Sequence, residues 1–221
     1  MPRTPPVRHV TVWLAWRDAP IAPAVMERLV ASLSDDERVR ASRYRYSADA
    51  DAFRWSRGVQ RAIIAGYLGV EPASLRFAQQ GDDKPVLAAP HGVRCEYNAS
   101  HSGDLFALAV SDDVVGADIE RARPIDRAER MARRVFDEPT AAAIAAASPA
   151  DRDRLFFTAW TQLEAHAKLH GQGVWRILAH RDAHAAAEGV RVASFETPLG
   201  YYGAVAVAGA EPRVQVRWWK P

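Results

Sequence analysis

The sequence carries a single cysteine, Cys95, which excludes an intrachain disulfide and leaves that residue the role of a small buried hydrophobe. It also lacks charge of one sign. Its 29 Lys and Arg residues face 27 Asp and Glu, a net charge of +2, which is not the balance of a nucleic-acid-binding protein. No segment approaches the ~20 consecutive apolar residues of a membrane span. The stretch from Met1 to Val10, which contains Arg3 and Arg8, has no apolar run of signal-peptide length. A cytoplasmic protein with no membrane contact is therefore expected. Low-complexity tracts are absent too, and 48% hydrophobic with 25% charged residues is the composition of an ordinary folded chain. Its 221 residues can hold one large domain or two of about 100 residues.

What is present is an order of elements that occurs twice. Val10, Val12, Leu14 and Trp16 alternate as in a half-buried strand. Helices are expected over Pro23–Leu33, from the Ser34 cap through the Arg38, Arg40, Arg43 and Arg45 cluster, and over Asp49–Leu68, closed near Gly69. Short strands then follow at Ser74–Gln79, Val93–Tyr97, Leu105–Ser111 and Val114–Glu120. A second helical block covers Asp126–Phe136, Pro139–Ala147 and Asp151–His170, and strands return at Val190–Phe195, Tyr201–Val207 and Val214–Trp219. The expectation is an α+β fold made of two similar α+β halves, residues 1–114 and 115–221, related as a pseudo-two-fold duplication.

Four patterns carry chemistry. In Gly116-Ala117-Asp118-Ile119-Glu120, a strand would place Asp118 and Glu120 on one face, where two carboxylates either face water or share a hard cation such as Mg²⁺. On the helix beginning near Asp151, Trp160, Glu164 and Lys168 fall at i, i+4 and i+8, either a surface ion pair or a functional stripe. Asn98-Ala99-Ser100-His101-Ser102-Gly103, read as a connection between two strands, offers hydroxyls, an imidazole and backbone N–H groups suited to phosphate. Arg54, Arg57 and Arg61 recur along one side of a helix, either solvated or holding a phosphate, and Lys84-Pro85 is either a plain turn or a clamp on a nucleotide.

In this order the motifs Lys84-Pro85, Asn98-Ala99-Ser100-His101-Ser102, Gly116-Ala117-Asp118-Ile119-Glu120 and Trp160-Thr161-Gln162-Leu163-Glu164-Ala165 with Lys168 resemble those of the surfactin-type 4′-phosphopantetheinyl transferases. With Asp51-Ala52-Phe53-Arg54 upstream, the resemblance runs from Arg38 to Gly173. It implies a monomer that binds coenzyme A in the cleft between its halves and moves the phosphopantetheine arm to a serine of an apo acyl or peptidyl carrier protein. It further implies Mg²⁺, or Mn²⁺ in its place, on Asp118, Glu120 and Glu164. Lys168 and Glu164 would be the catalytic residues, with Glu164 the candidate base. Arg54, His101, Ser100 and Arg38 would serve the phosphates, and Lys84 with Pro85 would frame the adenine. Leu163 departs from the family pattern, which has lysine there.

Two other readings compete. A homologue impaired by Leu163 would bind coenzyme A or a carrier protein without transfer. A nucleic-acid-binding module would use Arg38, Arg40, Arg43 and Arg45 interleaved with Tyr44 and Tyr46, against the nearly balanced overall charge. The arginines that follow the acidic pair, Arg121, Arg123, Arg127, Arg130, Arg133 and Arg134, form either a solvated face or a rim for an acidic carrier protein.

Overall fold

The computed structural model describes residues 6–80, 84–88, 95–171, 173–179 and 189–221. Strand β1 (Val7–Trp16) buries Val10, Val12 and Leu14 on one side. Helix α1 (Pro23–Ala31) starts on a proline, whose fixed φ suits a first turn. Helix α2 (Asp35–Ser42) opens on a reciprocal cap: Ser34 Oγ accepts from the Glu37 N–H at 3.3 Å, and Glu37 Oε2 accepts from the Ser34 N–H at 3.0 Å. Helix α3 (Ser47–Leu68) ends at Gly69, whose φ of 68° is the left-handed turn that glycine adopts without strain.

Strands β2 (Arg76–Gln80) and β3 (Lys84–Ala88) form a separate hairpin, of which β3 was not expected from the sequence. Strands β4 (Glu96–Ser102) and β5 (Leu105–Ser111) follow, then β6 (Val115–Arg121). The second helical block is α4 (Ala128–Val135), α5 (Glu138–Ala146) and α6 (Pro149–Leu169), with a short α7 (Val174–Ala179) that the sequence reading did not contain. Strands β7 (Val190–Ser194), β8 (Tyr201–Ala208) and β9 (Glu211–Trp218) close the chain.

The strands assemble into sheets of order β4-β5-β1-β9 and β6-β8-β7. Strand β5 is buried on both faces, and its period of two divides the core. Phe106, Leu108 and Val110 pack under α3 against Trp55, Val59 and Ile64. Leu105, Ala107 and Ala109 face the other way, onto Ala117, Ile119, Val205 and Val207 of the second sheet. On that sheet's outer face, Ala204 and Ala206 carry α6 through Ala165 and Leu169. The layers run helix, sheet, sheet, helix, the α+β duplication expected from the element order. The last strand crosses over: β9 pairs in parallel with β1, from Val7 opposite Glu211 to Leu14 opposite Trp218.

One expectation is corrected. Asn98 to Ser102 is not a connection between strands but most of β4, paired with β5 from Asn98 opposite Ala109 to Ser102 opposite Leu105. Its backbone pairs with β5 on one side, so it is held extended and its alternate side chains project to opposite faces. The turn falls at Gly103, with φ 57°.

Candidate active site

Strands β4 and β6 are edge strands of different sheets, and their side chains join them. Both alternate with period two, so Asn98, Ser100 and Ser102 meet successive rungs of β6. Asn98 Oδ1 accepts from the Ala117 N–H at 2.9 Å, Ser100 Oγ from the Ile119 N–H at 3.4 Å and Ser102 Oγ from the Arg121 N–H at 3.0 Å. Between these rungs, Ser100 Oγ donates to Asp118 Oδ1 at 2.8 Å and Ser102 Oγ donates to Glu120 Oε2 at 2.7 Å. The hydroxyls thus satisfy the unpaired N–H groups of an edge strand while fixing the carboxylates beside them. Asn98 and Ser102 tie β4 to β6, a structural role that the motif alone did not give.

Helix α6 lies close over β6 because residue 116 is glycine; a Cβ there would run into Ala165 O and the backbone of Leu169. That approach brings Lys168 Nζ to 2.7 Å from Asp118 Oδ1 and 3.1 Å from Ser100 Oγ. Asp118 is 3% exposed, and its second oxygen, Oδ2, is buried with no hydrogen-bond partner. Burial raises the Asp118 carboxyl above the usual range, opposed by the Lys168 ammonium and the Ser100 hydroxyl. Glu164 is raised by burial first and by the charge of Asp118 second, with Lys168 opposing and Glu120 adding a further rise. Glu120 is held by Ser102 and by Arg123 Nη1 at 3.2 Å. Among the described residues no three Asp, Glu, His or Cys side chains are gathered as a ready ligand cage.

A cavity of about 480 Å³ opens between the halves. Glu164 and Lys168 of α6 line it on one side, residues 97–101 of β4 line another, and Phe53, Ser56, Arg57 and Gln60 of α3 line a third, with Arg40 and Tyr44 beside them. The guanidiniums of Arg40 and Arg57 lie 5.3 and 5.6 Å from the centre of the Phe53 ring, so one aromatic seats both cations.

The other arginines singled out in the sequence go elsewhere. Arg54 pairs with Asp51 at 2.7 Å and is not among the lining residues. Arg38 donates to the carbonyls of Leu33 and Ala31, closing the end of α1. Arg61 is 1% exposed and spends its donors on Glu37, Pro72 O and Leu75 O, a structural ion pair that ties α3 to the α2 cap. His101 and Ser100 line the cavity as expected. The side chains of Lys84 and Pro85 lie outside the described residues; their backbone forms the start of β3.

Two family models cover most of the chain: the N-terminal model of 4′-phosphopantetheinyl transferases matches residues 16–113, and the 4′-phosphopantetheinyl transferase superfamily model matches residues 114–203. The 4′-phosphopantetheinyl transferase HetI of Nostoc sp. is 33% identical over 173 residues, 76% of this chain and 71% of that protein. The chain belongs to the 4′-phosphopantetheinyl transferase superfamily. It is similar at greater distance to 4′-phosphopantetheinyl transferase Sfp of Bacillus subtilis, 23% identical over 205 residues that cover 87% of this chain and 90% of that one. The transferase AcpT of Salmonella typhimurium is 35% identical over 119 residues, 53% of this chain and 59% of its own.

In this transferase Leu163 packs with Trp160 and Leu178 against Ala167 and Val174, on the side of α6 that faces α7. The apolar residue fits an apolar place there and leaves Glu164 free to face the cavity. Among the described residues no helix is long and apolar enough to cross a membrane.

Proposed function

We propose that this transferase moves the phosphopantetheine arm of coenzyme A to a serine of an apo acyl or peptidyl carrier protein, with Mg²⁺ held by Asp118, Glu120 and Glu164. The observation that carries the reading is that Glu164 and Lys168 line one wall of the cavity while Asp118, buried behind that wall, bonds Lys168 through Oδ1 and keeps Oδ2 unpartnered. An anionic oxygen left without a donor in a desolvated place is costly, and a hard cation is the group that such an oxygen accepts. The all-carboxylate donor set suits Mg²⁺ or Mn²⁺. When bound, the cation neutralises pyrophosphate charge.

The residues then divide the work. The carrier serine Oγ attacks the phosphorus that bears the pantetheine arm; a new P–O bond forms, the P–O bond to 3′,5′-ADP breaks, and its electron pair leaves with the ADP phosphate. Glu164, whose carboxyl is pushed up by burial and by Asp118, takes the serine proton. Lys168 stands against Asp118 and Ser100 at the cavity wall, where its ammonium neutralises the leaving phosphate. Arg40, Arg57 and His101 serve the phosphate at the nucleotide end, since Arg54 and Arg38 are otherwise engaged. The impaired-homologue reading is not favoured, because Leu163 lies in an apolar cluster and the acidic and basic groups of the site are all present.

A surface fits the acidic partner. Beside α4, a second cavity of about 630 Å³ is lined by Arg127, Arg130, Arg133 and Arg152, and the Arg134 guanidinium lies 5.4 Å from the ring centre of exposed Trp175. We assign this basic and aromatic face to the carrier protein.

Incubation with Mg²⁺, coenzyme A and apo carrier proteins of both kinds is expected to add one phosphopantetheine arm by mass, and EDTA to abolish the gain. No gain with any of several acyl and peptidyl carriers overturns the reading.

A further inference from the structure

Two polar groups at the cavity are deeply buried and have no hydrogen bond of acceptable geometry: Gln60 Nε2 and Tyr97 Oη, on side chains each 3% exposed. Neither belongs to the motifs that mark the family, and the transfer chemistry uses neither. Arg57 Nη1 donates to Gln60 Oε1 at 3.1 Å, and since a guanidinium only donates, this bond fixes which way the amide faces and leaves its NH₂ unspent. Burial pushes the Tyr97 phenol up, opposed first by the Arg57 guanidinium and then by a weak hydrogen bond from Gln60. Even a bond from the amide to the phenol oxygen would leave one amide N–H and the phenolic O–H without acceptors. A buried surplus of donors calls for a ligand acceptor.

The chemistry of the pair narrows that acceptor. Both groups are neutral, and besides their donors they keep acceptor capacity, the second lone pair of Gln60 Oε1 and the phenol oxygen. A phosphate would use donors only and leave that acceptor capacity idle, and Arg57 beside the pair already offers a charged donor for it. A heterocycle edge that presents an acceptor nitrogen next to an amino group uses both, as glutamine does with adenine.

We infer that Gln60 and Tyr97 read the hydrogen-bonding edge of the substrate's adenine, and so set the preference of this enzyme for an unmodified base. The inference rests on the coenzyme A reading and adds the residues that discriminate at its nucleotide end. A site built to bond a polar edge rejects an analogue that lacks it, because its own buried groups are then left unpaired.

The test is equilibrium binding of coenzyme A and of coenzyme A carrying a 1,N6-etheno bridge, which covers N1 and removes the amino hydrogens. The wild-type protein binds the etheno compound roughly tenfold more weakly or worse. Tyr97→Phe and Gln60→Leu each weaken coenzyme A binding by roughly five- to twenty-fold while leaving etheno binding within about two-fold, so the ratio falls toward one. The Tm of ligand-free Tyr97→Phe falls by no more than a few degrees, since at most one weak hydrogen bond, that from Gln60, is lost. A wild-type protein that binds the two compounds equally well overturns the inference by itself, whatever the variants do. Equal losses for both compounds in the variants, or no loss, overturn it as well. So does a collapse of the preference for coenzyme A over 3′-dephospho-coenzyme A in place of the etheno ratio, which would assign the pair to a phosphate. A protein that binds coenzyme A and transfers nothing refutes the transferase reading while the base ratio remains measurable; one that binds no coenzyme A refutes both.

Discussion

Lys168 Nζ and Asp118 Oδ1 stand 2.7 Å apart, one on the helix and one on the strand that meet only because Gly116 lets them. Lys168 is a cation held against a carboxylate whose other oxygen is buried and unpartnered. It therefore acts as counter-ion to Asp118 in the empty protein and is available to phosphate in the loaded one. Lys168→Met is expected to lower kcat by roughly 10²–10³-fold, the scale of a lost charge-stabilising donor. Because the lysine side chain is 29% exposed, Tm should fall by only a few degrees. Single-turnover mass spectrometry and calorimetry check the two together.

The pH dependence runs opposite to the usual carboxylate case. Asp118 and Glu164 are both raised from ordinary values of 3.8 and 4.5, so the folded state holds their protons more tightly than the unfolded state does. Their contribution to stability is present below those ordinary values and is lost as pH rises through the raised ones. Metal-free protein is expected to lose Tm over that window, and Mg²⁺, which competes with the protons, to restore more of it the higher the pH. A pH–Tm series with and without Mg²⁺ measures this; an identical slope in both series refutes it. Glu164→Gln removes one of the charges and is expected to abolish transfer without lowering the Tm of the metal-free protein above that window.

Ser102 supports Glu120 and an edge N–H at once. Ser102→Ala should raise the Mg²⁺ concentration needed for half-maximal activity by roughly three- to ten-fold and cost about 1–2 kcal/mol of stability, from two lost hydrogen bonds of ordinary worth. Threonine at the same position keeps the hydroxyl and is expected to recover most of the Mg²⁺ response. An unchanged Mg²⁺ response in the alanine variant would reduce the residue to a purely structural one.

Gly116→Ala places a methyl group against helix backbone that has no side chain to move aside. The expected cost is about 3 kcal/mol or more, read by urea unfolding, with transfer activity lost in the fraction that folds because Lys168 is pushed off Asp118.

Charge reversal at Arg133 and Arg134 tests the assigned docking face. The KM for the carrier protein should rise roughly ten-fold or more as electrostatic steering is lost, with the KM for coenzyme A unchanged. A carrier KM equal to that of the wild-type protein removes the assignment.

Much of this architecture was legible in periodicity. The Ser34 cap, the Gly69 stop and the alternating burial of β1 are local signals, and each sits within a few residues of where the sequence placed it. Strand β3 and helix α7 were not legible: β3 begins on Lys84-Pro85, a pair that reads as a turn, and α7 has only six residues. At the site, period placed Asp118 on a strand and Glu164 with Lys168 on one helix stripe, as the structure has them, but spacing alone left an ordinary surface pair as open as a functional one. The fates of the arginines were not legible. Arg54, Arg57 and Arg61 share a stripe in sequence, yet a turn of helix separates an exposed ion pair, a cavity wall and a fully buried clamp, and only packing against Glu37, Phe53 and β4 decides which is which. The serines of β4 were read as phosphate ligands because their partner strand lies about twenty positions on, and a side-chain ladder between two sheets leaves no local trace.

The parallel pairing of β9 with β1 has a consequence for how the molecule comes into being. During synthesis β1 emerges long before its parallel neighbour at residues 211–218, so the first sheet keeps an open edge until those residues have been made. Contacts so distant in sequence form slowly, and the exposed edge invites pairing with other chains meanwhile. The first half released alone would inherit that open edge, and an enzyme lacking β9 would lose more than one strand: it would lose the tie that obliges the two walls of the cavity to fold as one.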